Sequence, residues 1–558
     1  MSSIISKKFK GNTYYYLVES ARVGGKPRIV SQRHLGKASD IEAAMAGAQV
    51  LPERTRHLGF GDLAVALSVL RRLKVKEIVD GVVGSRRDDV SASVGTYVEL
   101  MVANRVVAPC SKLAFSDWWQ TTAGDRFVRL PAAALDHRKF WDAMDKLSPK
   151  MLEEIENAIV RLMIDEYAVT TDGLVLDMTN VTTYVDSANE RNTIARRGHS
   201  KQKRHDLRIV GLSLIVTRDG AVPVASHAYG GNKPDVTQFA TALAALRRQF
   251  PVGEEELTVV FDAGMDSVDN LALLADLHLH LVGSVPPSQH PDLLAVPSSS
   301  YSALEDEALP GVVAFETEQV ILGRMLRVVL SHSEDFHRQQ SRGFDQTLAK
   351  ATASLSGLAR RLSGGKTRRS HKAVETEIET IMAPRWLTRV LNVTLNGTSP
   401  KDMVLDFSID HDARGTLEEE IFGKRVLITD RLDWSTAEVI LAYRSQWEVE
   451  AGFRQLKSHD HIAVAPMFHW TDQKVAVHMF CCVLALTVLR LIERQVRRSG
   501  LVISIGEIMK ALADMQETVL LYPSTGGRPR ARRMLTETSS TQEQLFQIFD
   551  LQAFAPAS

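Results

Sequence analysis

Five short β-rich runs between Gly173 and Val285 constrain this chain most, because the spacing between them changes along the way. They are "GLVLDMTNV" (Gly173–Val181), "LRIVGLSLIVT" (Leu207–Thr217), "VPVASHAY" (Val222–Tyr229), "LTVVFDAG" (Leu257–Gly264) and "LHLVGSV" (Leu279–Val285). The tight turn "RDGA" (Arg218–Ala221) joins the second run to the third as a hairpin. Helical patterns, "DVTQFATALAALRRQF" and "DSVDNLALLADL", separate the later ones. Strands paired first by hairpins and then alternating with helices imply a mixed sheet with helices packed on it, an α/β fold.

At 558 residues the chain exceeds what one core can hold. Residues 1–165 read as a hairpin around Gly24-Gly25 followed by helices, and residues 166–289 as the mixed-sheet region. Residues 290–432 are too long for a structureless loop and read as an inserted α+β subdomain. Residues 433–490 return to the sheet region with a helix, and residues 491–558 read as a helical C-terminal region with a partly disordered tail.

Net charge is zero, so a polyanion would have to be held by local patches. Three exist. Arg191–Arg208 carries Arg196, Arg197, Lys201, Lys203 and Arg204 against one acid, Asp206; "RRLSGGKTRRSHK" (Arg360–Lys372) has no acid; "GGRPRARR" ends at Arg533. The three cysteines, Cys110, Cys481 and Cys482, show no metal-ligand spacing and fit a reducing, cytosolic compartment. The apolar run Val475–Leu489 is short, contains His478 and is flanked by Lys474 and Arg490, so it reads as a buried helix and not a membrane span.

Asp177 follows the apolar run Leu174-Val175-Leu176, and Asp262 follows Val259-Val260-Phe261. Each reads as an acid at a strand end, where sites form in α/β sheets. A lone aspartate there more often caps a helix or starts a turn, and Asp266 or Ser267 fits such a cap. A third acid strengthens the pair. In "AYRSQWEVEAGFRQLKSHD" (442–460), Tyr443, Glu450 and Lys457 are spaced by seven residues. On one continuous helix they would share a face, about 10 Å apart along the axis, with Phe453 and Leu456 as core anchors and Trp447 buried. Three converging carboxylates repel one another unless cations neutralise them, and oxygen donors without His or Cys suit Mg²⁺ or Mn²⁺. Such ions can activate a water or a 3′-hydroxyl at a phosphodiester. Asp235 in "GGNKPDV" reads mainly as a turn or cap, and His469 and His478 as packing groups.

These residues resemble bacterial insertion-sequence transposases of the DDE type, and more narrowly the IS-four-like group. That group has a β-rich insertion and a tyrosine–arginine–glutamate–lysine motif on the glutamate helix. The resemblance rests on "LDMT", "GNKPD", "FDAGMDS", "FGKRVLITDRLDWS", "NRVVAPCSK" and the ordered positions Tyr443, Glu450 and Lys457. Gln446 stands where the motif has arginine. The resemblance implies a ribonuclease-H-like core with Asp177, Asp262 and Glu450 as catalytic metal ligands for Mg²⁺, with Mn²⁺ able to substitute. It implies Tyr443, Gln446, Lys457 and Arg454 as DNA contacts, and the Arg196–Arg204 cations are a further candidate surface. The expected partner is double-stranded DNA, at element ends and at target, bound by a homodimer whose N-terminal region reads the ends and whose C-terminal helices pair subunits. A metal-dependent nuclease on the same core and a DNA-binding regulator without catalysis are the alternatives; all three acids being present speaks against the second.

Overall fold

The computed structural model describes residues 2–23, 26–47, 51–84, 92–251, 256–364, 369–399, 402–523 and 530–557. The expected Gly24-Gly25 turn and parts of the second and third basic patches, 365–368 and 524–529, lie outside them. The chain forms two compact units. One comprises residues 69–115 and 131–502; the other comprises residues 1–68, 116–130 and 503–558.

The smaller unit holds two three-stranded antiparallel sheets. In the first, β1 (Ser2–Phe9), β2 (Asn12–Val23) and β3 (Lys26–Gly36) lie in chain order. In the second, β4 (Arg54–Gly59) pairs with β16 (Gln516–Tyr522), which pairs with β17 (Arg530–Leu535). The C-terminal segment is therefore built into a sheet with an N-terminal strand, and helix Ser540–Ile548 follows with a complete capping box at Ser539 and Gln542. The sequence had suggested helices and a disordered tail here, because no pattern within residues 491–558 reveals a strand partner near residue 54.

The larger unit is organised by a nine-stranded sheet, in the order β10-β11-β12-β15-β9-β8-β5-β6-β7. One end of it is β5 (Leu174–Thr183), β6 (Arg208–Thr217) and β7 (Pro223–Gly230), a run of antiparallel pairs with β7 at the edge, and β8 (Thr258–Val260) and β9 (His280–Val285) lie parallel to β5 towards the middle. Helices Phe239–Gln249 and Val268–Asp276 make the crossovers. This is the mixed sheet with helices packed on it that the spacing of the runs implied, consistent with the ribonuclease-H-like core that the resemblance implied. The sheet then continues past β9 through β15 (Lys424–Thr429), β12 (Arg324–Ser333), β11 (Val312–Ile321) and β10 (Ser302–Ala303), each paired antiparallel to its neighbour.

Much of the segment 290–432 thus extends the central sheet. Only the part between β12 and β15 builds its own core. There, helices Glu334–Ser363, His371–Met382 and His411–Ile421 pack with the hairpin β13 (Leu391–Asn396) and β14 (Val404–Ile409) around Phe344, Leu355, Leu358, Leu417 and Phe422.

Helix Gln446–Leu456 lies between the sheet and the long helix Asp472–Arg498. A methyl group added at Gly452 would meet Leu486 of the long helix at 3.5 Å and Leu214 of β6 at 3.9 Å. The long helix is apolar enough to cross a membrane by composition, yet 94% of its apolar window is buried inside the protein, as a core helix would be. His478 on it is buried, with its Nε2 3.0 Å from the Val464 carbonyl oxygen.

Candidate active site

The parallel ladder between β5 and β8 is short: Leu174 is level with Val259 and Val175 with Val260. Two residues further along each chain stand Asp177 and Asp262, so the register brings the two acids side by side. Asp177 does not end its strand as the sequence suggested. β5 runs on to Thr183 because β6 keeps pairing with it, and it is β8 that stops. Asp262 leaves the sheet at once into the turn Ala263–Met265. Asp177 is thus a half-buried acid exposed by the early end of its neighbour.

Local backbone groups orient both carboxylates. Asp177 Oδ1 accepts from the Met178 N–H at 2.6 Å, and Asp262 Oδ1 accepts from the Ala263 N–H at 2.8 Å and the Tyr443 hydroxyl at 3.1 Å. Burial raises the Asp177 carboxyl to about 6; the Met178 N–H and the Lys201 ammonium pull it down, while the charges of Asp262 and Asp235 push it up. Lys201 donates to the Met178 carbonyl and pairs with Asp235 at 3.2 Å, and Asp235 also accepts from the Tyr229 hydroxyl at 2.7 Å. Asp235 therefore belongs to the site's surroundings, and is more than a turn residue. Lys457 donates to the Thr179 hydroxyl at 2.7 Å, one pleat repeat along β5 from Asp177. Burial and the charge of Lys201 lower the Lys457 ammonium, and Asp177 opposes them.

The segment expected as one helix is two. Helix Thr436–Arg444, opened by a capping box of Ser435 and Glu438, stops at Ser445, and helix Gln446–Leu456 begins after it. Tyr443 is 5% exposed, and its hydroxyl is 2.7 Å from that of Ser284 as well as donating to Asp262. The Arg425 guanidinium lies over its ring at 5.5 Å and over that of Phe336 at 4.2 Å. Burial and the charge of Asp262 push the phenol up to about 12. Its hydroxyl is held by Ser284 and Asp262. The Gln446 amide nitrogen is sealed from solvent and has no partner among the described residues. Trp447 is 54% exposed and is not a core residue.

Phe453 and Leu456 are buried, as anchors should be, while Glu450 and Arg454 are exposed. Among the described residues, no three His, Cys, Asp or Glu side chains converge closely enough to hold a metal ion. The structure assembles Asp177 with Asp262 and leaves Glu450 outside the pair. Leu214, the cross-strand partner of Asp177, is the residue that Gly452 approaches, so helix Gln446–Leu456 covers the sheet face that carries Asp177. Two adjacent carboxylates, of which Asp177 has its proton affinity raised by burial, suit a hard divalent cation, whose charge would relieve their repulsion. For these two acids the donor set fits.

The description "Transposase DDE domain" matches residues 170–486, more than half of the chain. The chain belongs to the DDE transposase family. It is an enzyme that acts on DNA. No curated protein matches it. Among solved structures it is similar to the piggyBac transposase in a synaptic complex with hairpin DNA, at 10% identity and a TM-score of 0.34, over 83% of this chain and 82% of that one.

In this transposase the basic segment between β5 and β6 is not a simple projecting hairpin tip. It folds back on β5: Asn180 donates to the His199 carbonyl and accepts from the Lys201 N–H. Arg196, Arg197, Lys201, Lys203 and Arg204 are all exposed, but Arg204 is held by both oxygens of Asp206 at 2.8 and 2.7 Å. Sequence reasoning missed Thr179, Ser284, Arg425 and Asp266. Thr179 was findable, because strand periodicity puts it on the Asp177 face. Asp266 was read as a possible cap, yet Ser267 does the capping. Both Asp266 carboxyl oxygens are sealed without a partner among the described residues, and burial with the charge of Asp262 raises the group to about 8.

Proposed function

We propose that this transposase cuts the ends of its mobile element and joins them to target DNA, with Asp177, Asp262 and Glu450 sharing divalent cations, Mg²⁺ or Mn²⁺. The observation that carries this reading is the bracketing of Glu450. Seven residues before it, Tyr443 donates to Asp262; seven after it, Lys457 donates to Thr179 on the Asp177 strand. The glutamate is carried between two fixed points, one at each aspartate, on the helix that covers them. The Ser445 break is where the covering helix can turn to bring Glu450 inward on binding.

When bound, the cation supplies a Lewis acid that makes a water or a 3′-hydroxyl nucleophilic and steadies the leaving oxygen. Everything else falls to side chains of the chain. Tyr443 fixes the Asp262 carboxylate through its hydroxyl. Lys201 and Lys457 flank Asp177 and offset charge on the scissile phosphate as point cations. Arg454 and the exposed cations Arg196, Arg197 and Lys203 steer the backbone without reading bases. A homodimer bridges two ends, and residues 1–165 recognise the end sequence.

Purified protein, labelled element ends, Mg²⁺ and a target plasmid test this. Joined products that disappear in Asp177→Ala, Asp262→Ala and Glu450→Ala, with end binding retained, are expected. Full activity in Glu450→Ala would remove that residue from the site, and cut ends without joints would make the protein a nuclease.

A further inference from the structure

We propose that the outward face of the sheet β17-β16-β4 is a docking surface for the phosphate backbone of duplex DNA. The faces of this sheet are settled by burial. Glu517 is 0% and Val519 4% exposed, so their side is the covered one. Glu517 is the one acid in the three strands, and it is neutralised by Arg126 at 2.5 Å and by Arg533.

Side chains of the opposite parity face out. On β16 these are Thr518, Leu520 and Tyr522. Arg532 stands opposite Leu520, Arg530 opposite Tyr522, Thr55 beside Leu520 and His57 beside Thr518. His57 Nδ1 and the Thr518 hydroxyl are 3.1 Å apart. The face therefore offers two guanidinium groups, an imidazole, two threonine hydroxyls and a phenol beside the apolar Leu520 and Met534, with no acid among them. Arg54 and Arg56 are exposed on β4 but stand beside Leu521 and Val519, so they belong to the other side of the sheet and are not part of this face. Arg530 and Arg532 are one pleat repeat apart, about 6.8 Å. That equals about two 3.4 Å rises of a DNA strand, so both can meet one backbone.

Donors without base-reading amides or carboxylates match phosphate, which carries no sequence information. Duplex DNA is the polyanion that a DNA transposase must hold, and in this respect the proposal rests on the reading above. It gives the C-terminal segment a DNA contact in place of the subunit pairing that the resemblance implied for it.

The test measures binding of the full chain to a labelled random-sequence duplex by anisotropy across a salt series, for wild type, Arg530→Ala/Arg532→Ala and Arg530→Lys/Arg532→Lys. The alanine pair is expected to lower the slope of log K against log salt by about 1.8, roughly 0.9 per lost contact, with the lysine pair close to wild type. Identical slopes for wild type and the alanine pair would overturn the surface while leaving the transposase reading intact. Loss confined to a single-stranded oligonucleotide would overturn the duplex assignment. A wild-type chain that binds no duplex at any salt would sink both readings together.

Discussion

Tyr443 donates its hydroxyl to Oδ1 of Asp262 across 3.1 Å, which makes the tyrosine a support of the carboxylate. Tyr443→Phe keeps the ring under Arg425 and removes only that donor. A hydrogen bond to a charged group contributes about 1.5 kcal/mol, so single-turnover cleavage should slow by roughly tenfold. DNA affinity should keep its salt slope. A slope reduced by about one would instead mean that the phenol holds a phosphate.

The two aspartates were legible because each follows an apolar run, and a strand carries its neighbours to a fixed register. The helix break at Ser445 was not. No glycine or proline marks it, and the contacts of the nearby Tyr443 with Ser284 and Asp262 come from distant parts of the chain. The sheet β17-β16-β4 was hidden for the same reason: His57 and Thr518 are 461 residues apart in sequence. Periodicity gives an element's own pattern and says nothing of a partner so remote. The exposed Trp447 shows the converse: a place one turn from Tyr443 implies burial on one continuous helix, and the chain breaks between the two residues.

Gly231 and Gly198 place the basic segment against β6. A Cβ at Gly231 would lie 2.0 Å from the Ile209 carbonyl oxygen, and one at Gly198 would lie 2.1 Å from that of Gly231. Backbone atoms cannot yield as a side chain tip would. Gly231→Ala should therefore destabilise the protein by about 1–3 kcal/mol in urea unfolding. Cleavage should fall as well, because the Lys201–Asp235 pair spans the displaced segment. An unchanged midpoint would show that the segment adjusts freely.

Gln446 buries an amide nitrogen with no partner among the described residues. An unsatisfied buried donor costs about 1–3 kcal/mol, so Gln446→Leu should raise the unfolding free energy by about 1 kcal/mol. Gln446→Arg, which restores the motif's cation, should lower it by placing charge in the same sealed position. Chemical denaturation of the pair checks both signs. A stable arginine variant with a steeper salt dependence of DNA binding would mean that the side chain swings out to the backbone.

Asp266 links stability to pH. Folded, its carboxyl titrates near 8; unfolded, it returns to the aspartate value of 3.8. Between those values the folded chain keeps a proton that the unfolded chain releases. Unfolding is therefore favoured progressively as pH rises from about 4 to about 8, and the loss is complete above. Asp177, raised to about 6, acts in the same direction over a narrower window. Asp266→Asn removes the larger contribution while keeping shape. Melting of the metal-free protein should show the variant gaining on wild type by roughly 3–4 kcal/mol between about pH 5 and about pH 8. Parallel curves for the two proteins would mean that Asp266 is ionised in the folded state, with a cation partner that compensates its burial.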